Sequence, residues 1–338
     1  MHVSLSALFS LLVVSQALAS TVITVDIDEP DHDRWMYPFN GSPGDRAVAP
    51  TFSAYGSEYD YFDDRDGQVL LGFHTDGLVQ TGLGASSYRI LSATMTIMIE
   101  SDDIVHDGSF DSWETHLSDG LGDGDAGRPV IVSGAGFRNG WDGWSYGESG
   151  PFGDLAIGGR NVYPIDFDST GSPRDISNNL TQEFDPSVFG VGQAADVSSG
   201  EIMPSLTTLT FELAVTDPDI QCYLRSSIDD GLVSLLVSSL HSAGEQGQGD
   251  AVYPDWIMKD NSLVFVGLAD AAGLQMTVEV VEPSGVAGDV DGDGEVGVTD
   301  LLDVISDWGR CPCCPTDLNG DGAVDVNELL NVISNWGG

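Results

Sequence analysis

Between Asp289 and Asp300 the chain reads Asp289-Val290-Asp291-Gly292-Asp293-Gly294-Glu295-Val296-Gly297-Val298-Thr299-Asp300. Carboxylates fall at loop positions 1, 3 and 5 (Asp289, Asp291, Asp293), and Gly294 takes position 6. The Glu295 carbonyl and the Asp300 carboxylate take positions 7 and 12. Calcium seeks roughly six to eight oxygens, and acids at alternate positions of a tight loop can wrap it around a glycine turn. The pattern returns 28 residues later, with Asp317, Asn319 and Asp321 at 1, 3 and 5 and Gly322 at 6. The Ala323 carbonyl, Asp325 and Glu328 then take positions 7, 9 and 12. Two copies in register predict two calcium sites. Asp300 is one methylene shorter than Glu328, so the first loop is expected to close on its ion less completely.

Each loop leads into the same apolar spacing. Leu301-Leu302, Val304-Ile305 and Trp308-Gly309 recur as Leu329-Leu330, Val332-Ile333 and Trp336-Gly337. This spacing predicts a helix with one apolar stripe and a glycine C-cap. Neither Ser284–Gly288 nor Cys311–Thr316 has the composition of an entering helix. Paired loop–helix units of this design over residues 289–338 resemble type I dockerins. The resemblance implies a small all-α calcium-binding domain that docks onto a cohesin-like or cell-surface partner and tethers a polysaccharide-directed module. Loop positions 10 and 11 are Val298-Thr299 and Val326-Asn327 here, where cohesin-binding dockerins typically present Ser-Thr. So small a module has a thin core, and calcium is expected to supply much of its folding free energy.

The cysteines are Cys222, Cys311, Cys313 and Cys314. Disulfides are the expectation for an exported chain, with Cys311–Cys314 or Cys311–Cys313 bracing the inter-repeat turn. The three full pairings stay open, with a zinc site as the alternative.

Residues 20–282 must carry any partner of this tail. Val22–Asp28 turns Ile23, Val25 and Ile27 one way; Arg89–Glu100 does the same with Leu91, Ala93, Met95, Ile97 and Ile99. Leu209, Phe211, Leu213 and Val215 share a face, as do Leu274, Met276, Val278 and Val280. Val69–Phe73 and Leu263–Leu268 read as short apolar strands, and Pro218–Leu240 as a short helix before a strand. Period-two alternation between Gly/Asp/Asn turns predicts a mainly β body, an antiparallel, jelly-roll-like β-sandwich. Residues 283–288 read as a linker.

The segment Leu117–Gly159 holds 13 glycines and little period, the signature of long functional loops. Within it, Trp141, Trp144 and Tyr146 form a candidate sugar-stacking platform, weighed against a role anchoring the loop. Asp33–Tyr37 and Tyr55–Asp64 mix aromatics and acids in the same way, and Gly120–Asp125 could hold a further calcium.

Charge narrows the function. There are 54 acids against 11 cations, a net charge of −43. Such a chain is a poor binder of nucleic acid and of anionic membrane surface, and it suits a saline or calcium-rich exterior. No membrane insertion is expected. Leu5–Val14 is an apolar run followed by Ala17-Leu18-Ala19, which predicts a signal peptide over residues 1–19 and a secreted or cell-surface protein. No Gly-x-Ser-x-Gly, His-Glu-x-x-His, P-loop or dinucleotide motif is present. The expectation is therefore a non-catalytic protein binding carbohydrate or a surface partner. The alternatives are a polysaccharide-active enzyme (glycoside hydrolase or lyase) and a structural coat or adhesion component.

Overall fold

The computed structural model describes residues 20–59, 61–117, 126–154, 159–243, 252–281 and 285–337. The expected signal peptide, the whole of the Gly120–Asp125 run and the start of the linker lie outside the described residues. The fold is mainly β, with 32% strand and 16% helix. Among the described residues no helix is long and apolar enough to cross a membrane.

Two antiparallel sheets dominate. The first runs in the order Thr21–Ile27, Gly273–Val280, Tyr88–Met98, Thr208–Glu212, Gln193–Ala194. The second runs Pro173–Asp175, Val162–Phe167, Val130–Phe137, Leu232–Ser239, Gln68–His74, His32–Met36. One apolar cluster draws on both. Val25, Met95, Phe211 and Met276 come from the first sheet, and Leu71, Val132 and Leu235 from the second. Burying both faces explains why Leu232–Ser239 and Gln68–His74 carry near-continuous apolar runs rather than alternation.

The helix Pro218–Asp230 seals one margin of this core with Ile220, Leu224 and Ile228, spaced four apart on one face. Its ends are written in the sequence. The Asp217 carboxylate accepts the Asp219 and Ile220 amide N–H groups, Pro218 opens the first turn, and Gly231 at φ 83° ends the last.

Two expectations fail. Leu91 points to solvent at 43% exposure, and Ile90 is buried instead. The partner strand pairs Thr277 with Ser92 and Val278 with Ile90, so Leu91 is the extra residue of a β-bulge. A bulge reverses the inside–outside phase on one side of itself, so strict alternation cannot be carried through it. Leu263–Leu268 is no strand. Ser262–Phe265 forms a helical turn capped by the Asn261 side chain, which accepts the Leu263 N–H, and Phe265 is 92% exposed. A short apolar run has no period to separate the two states, and here the local cap decides.

The bulge gives a direct test. Ile90→Ala should lower unfolding free energy by about 2–4 kcal/mol in urea titration, whereas Leu91→Ser should change it by less than about 0.5 kcal/mol. The reverse ranking would restore the uninterrupted alternation.

Candidate functional site

A cavity of about 600 Å³ opens beside the strand His32–Met36. Tyr37, Phe52, Tyr55, Tyr59, Phe62 and Tyr253 supply its rings, and Ser53, Ser57, Glu58, Asp66 and Ser242 its polar groups. That volume and mixture suit a small-molecule or chain-end site. Tyr37, just past the strand, stacks on Trp35 with centroids 4.5 Å apart and meets Phe52 edge-on at 5.6 Å. Phe52 lies 5.2 Å from Tyr253. A Cβ on Gly67 would come within 2.6 Å of the Phe52 ring, so a side chain there would have to displace this wall.

The floor is held by the segment Asp63–Asp66. Asp64 Oδ2 accepts the Thr181 amide at 2.8 Å, and its Oδ1 accepts the Thr181 hydroxyl at 2.8 Å. The Arg65 amide donates to the Ser177 carbonyl at 2.9 Å, and its Nε donates to Asn179 Oδ1 at 3.0 Å. Asp66 is therefore fixed from both sides. Its Oδ1 accepts the Asp63 amide at 3.3 Å, while its fully buried Oδ2 has no hydrogen-bond partner among the described residues.

One cation serves two acids here. Arg160 Nε donates to Asp63 Oδ2 at 2.7 Å, and Asn178 Nδ2 donates to Asp63 Oδ1 at 2.7 Å. The guanidinium is 3.5 Å from Asp66 Oδ1. Burial pushes the Asp66 carboxyl up to about 7; Arg160 and the Asp63 amide pull against this, and the Asp63 charge adds a smaller rise. Burial also raises the Tyr37 phenol, and the Asp66 charge adds to that.

The aromatic platform expected from Trp141, Trp144 and Tyr146 does not form. Tyr146 is buried, donates its hydroxyl to the Pro151 carbonyl at 2.9 Å, and carries Arg34 over its ring at 4.6 Å. Trp141 packs edge-on against Tyr146 at 5.7 Å. Trp144 alone of the three faces outward; it tilts over His74 at 4.5 Å and donates Nε1–H to the Asp230 carbonyl at 3.2 Å. The Asp142 cap opens a helical turn at Gly143–Tyr146, and that turn sends the three rings in different directions. Residues 55–64 were the better pointer, because they form much of the cavity rim; that segment stops two residues short of Asp66. The contributions of Tyr37, Ser242 and Tyr253 come from distant chain segments and left no local signal.

The acidic loops fold as spaced. Asp289 accepts the Gly292 and Gly294 amides at 2.8 Å each; Asp317 does the same for Gly320 and Gly322. Gly294 and Gly322 sit at φ 89° and 85°, conformations that favour glycine. Asp289, Asp291 and Asp293 bring ligand oxygens within 4.8 Å of one another. Burial raises the Asp291 carboxyl to about 6, the Asp293 amide opposes this, and the neighbouring acids Asp300, Asp293 and Asp289 add to it. Asp325 caps the helix Val326–Ser334 by accepting the Asn327 amide at 2.7 Å. At position 7 a calcium loop draws on the backbone carbonyl, so the side chains of Glu295 and Ala323 would not be needed there.

Position 12 separates the copies. Asp300 gives Oδ1 to the Val290 amide at 2.7 Å and Oδ2 to the Gly297 amide at 2.7 Å. Glu328 gives only Oε2, to the Asp325 amide at 2.9 Å; its buried Oε1 has no hydrogen-bond partner among the described residues. An orphaned carboxylate oxygen beside a ring of oxygen donors fits a hard divalent cation.

The predicted helices are Val298–Ser306 and Val326–Ser334; each opens inside its loop rather than after it, and they end on Asp307 and Asn335 rather than on the expected glycines. Their apolar residues split into two faces rather than one stripe. Val304 and Val332 join Val290, Val296 and Val324 in a small core, while Leu302, Ile305 and Trp308 point outward together with Leu330, Ile333 and Trp336.

Cys311 pairs with Cys314 across the inter-repeat turn, and Cys222 pairs with Cys313. Of the two braces considered, Cys311–Cys314 is the one formed. The second bond joins the tail to the helix Pro218–Asp230. Arg310 pairs with Asp219 on that helix, and Arg225 Nη1 donates to the Cys313 carbonyl at 2.8 Å. With all four cysteines in disulfides, none is left to ligate zinc.

Among known proteins, no family model matches this chain and no curated sequence matches it.

Asp66 yields a stability prediction. A folded pKa of about 7 against an ordinary 3.8 means its contribution is complete below about 4 and is lost as pH rises through 7. Asp66→Asn should gain on the parent as pH increases, by on the order of 2–4 kcal/mol at pH 8. Equal denaturation midpoints for the two proteins at pH 5 and pH 8 would rule this out.

Proposed function

We propose that this is an exported binding protein in which a β-sandwich body holds carbohydrate in the aromatic cavity and a calcium-folded, dockerin-like tail docks it to a protein partner. The observation that carries the reading is the cavity itself. Ring faces suit the C–H faces of sugars, and hydroxyls and carboxyls between them suit sugar hydroxyls. A single apolar cluster drawing on two antiparallel sheets supports the sandwich assignment. Two disulfides and the acid surplus agree with an oxidising, saline exterior.

For the tail, the cluster of Asp289, Asp291 and Asp293 supports calcium at the first loop and the free Glu328 oxygen supports it at the second. The duplicated outward stripe of Leu302, Ile305 and Trp308 with Leu330, Ile333 and Trp336 supports a docking role with a cohesin-like or cell-surface protein.

A polysaccharide-active enzyme is the second reading. It is favoured by the presence of two carboxyl side chains, Asp66 and Glu58, among the residues lining one cavity, since glycoside hydrolysis uses a pair of them.

Incubating the full chain with insoluble polysaccharides, and assaying the supernatant for protein and for released sugars, tests the body. Depletion is expected, lost on Tyr55→Ala with Tyr59→Ala and retained on Trp144→Ala. Depletion insensitive to the tyrosines would sink the cavity reading, and released oligosaccharides would favour the enzyme.

The tail is tested separately by hydrogen exchange of residues 285–337 in millimolar calcium. Asp289→Ala with Asp317→Ala should abolish protection of both helices while the body stays protected. Unchanged protection, or protection indifferent to chelator in the parent, would refute calcium-driven folding.

A further inference from the structure

We propose that the cavity takes glycans bearing free, protonated amino groups, with the ammonium seated among its aromatic rings beside the Glu58 carboxylate. This rests on the carbohydrate reading above and goes beyond it by naming the substituent that the site selects.

The groups that would make the contact are within reach of a ligand. Tyr55 and Tyr59 are 48% and 49% exposed at the rim, and Glu58 beside them is exposed as well. Tyr59 stands perpendicular to Phe62 at 6.2 Å, and Phe62 lies parallel to Tyr37 at 6.3 Å. Tyr37 meets Phe52 at 69°, and Phe52 meets Tyr253 at 47°. The rings therefore wall the cavity in several orientations instead of forming one flat platform. A compact cation is drawn to ring faces by their quadrupoles, so walls turned in this way suit an ammonium. The protein seats its own cations in the same manner elsewhere. Arg138 lies over Tyr163 and Arg174 over Phe184, each at 3.8 Å, and Arg46 lies over Trp35 at 4.6 Å.

The charges around the cavity favour the same ligand. No lysine, arginine or histidine lines it among the described residues, and Glu58 makes no ion pair among them. Behind the floor, Arg160 Nε is held by Asp63 at 2.7 Å and Arg65 Nε by Asn179 at 3.0 Å. Set against Glu58, Asp63, Asp64 and Asp66, these two arginines leave the site negative whichever form Asp66 takes. Burial pushes His241, next to Ser242, down to about 4, so it adds no positive charge near neutrality. An ammonium would thus enter a site and a body of its opposite sign, whereas uronate or sulfated chains would enter against both.

Short β-1,4-linked oligomers of glucose, glucosamine and N-acetylglucosamine share a backbone and differ at one carbon, which isolates the charge. Calorimetric titration of the full chain at pH 5.5, where the amines hold their protons, compares the three. The glucosamine oligomer should bind roughly 3- to 30-fold more tightly than either neutral one, the range set by a ring–cation contact with an exposed ion pair. Glu58→Gln should weaken glucosamine binding roughly 2- to 5-fold and leave the glucose oligomer within about twofold. Tyr59→Leu keeps apolar bulk without the ring, so the preference for the amine over the hydroxyl should shrink even as both ligands lose stacking. Both positions are exposed, and thermal melts matching the parent report that the variants are folded.

Glucose or N-acetylglucosamine oligomers binding as tightly as glucosamine would overturn the ammonium selection and leave the carbohydrate reading standing. A glucosamine preference unchanged in both variants would also overturn it, because the attraction would then belong to the acidic surface at large. No binding of any of the three oligomers would remove the carbohydrate reading and this inference together.

Discussion

Eleven cations must serve 54 acids, and where each one goes decides which carboxyls the interior can hold. Several are committed to buried acids. Arg174 pairs with Asp166, Arg128 lies 3.3 Å from Asp111, and the lone lysine, Lys259, bridges Glu148 and Asp33. A buried pair of this kind fixes geometry more than it adds stability. The cost appears where the supply runs short. At Asp63 and Asp66 one guanidinium meets two carboxyls, the nearer acid holds it, and the other is pushed toward its neutral form. The unusual chemistry of the cavity floor follows from that shortage.

The sheet pattern was readable because alternation is a local property. Val25, Leu209, Phe211 and Leu274 fall on the core side as their spacing implies. What escaped the sequence was anything that breaks a period or joins distant segments. The bulge at Leu91 depends on the partner strand's register, and the turn at Ser262–Phe265 depends on a side-chain cap outrunning strand propensity. The cavity joins Tyr37, the Phe52–Asp66 segment and Tyr253, which no window of sequence brings together. Tyr146 misled for a related reason: three aromatics within six residues lie close along the chain, yet a single helical turn directs them apart.

The tail was legible in its loops and only half legible in its helices. Spacing located the carboxylates, and the loop hydrogen bonds follow it residue by residue. The helix stripe did not divide by spacing alone, because a core supplied by two nine-residue helices is narrow. It accommodates Val304 and Val332 and leaves the outer half of each stripe exposed. The difference between Asp300, used up by loop amides, and Glu328, which keeps one oxygen free, comes from a single methylene.

The Cys222–Cys313 bond joins residues 91 apart in sequence. Its consequence is mechanical. If the tail is gripped by an anchored partner while the body holds an insoluble chain, tension must cross from one to the other. Without the bond, all of it would reach the body through the end of Gly273–Val280, peeling that strand from its neighbours one hydrogen bond at a time. With the bond, tension applied beyond Cys313 enters the helix Pro218–Asp230 at Cys222, between Ile220 and Leu224 of the face it packs into the core. The load path then bypasses the strand.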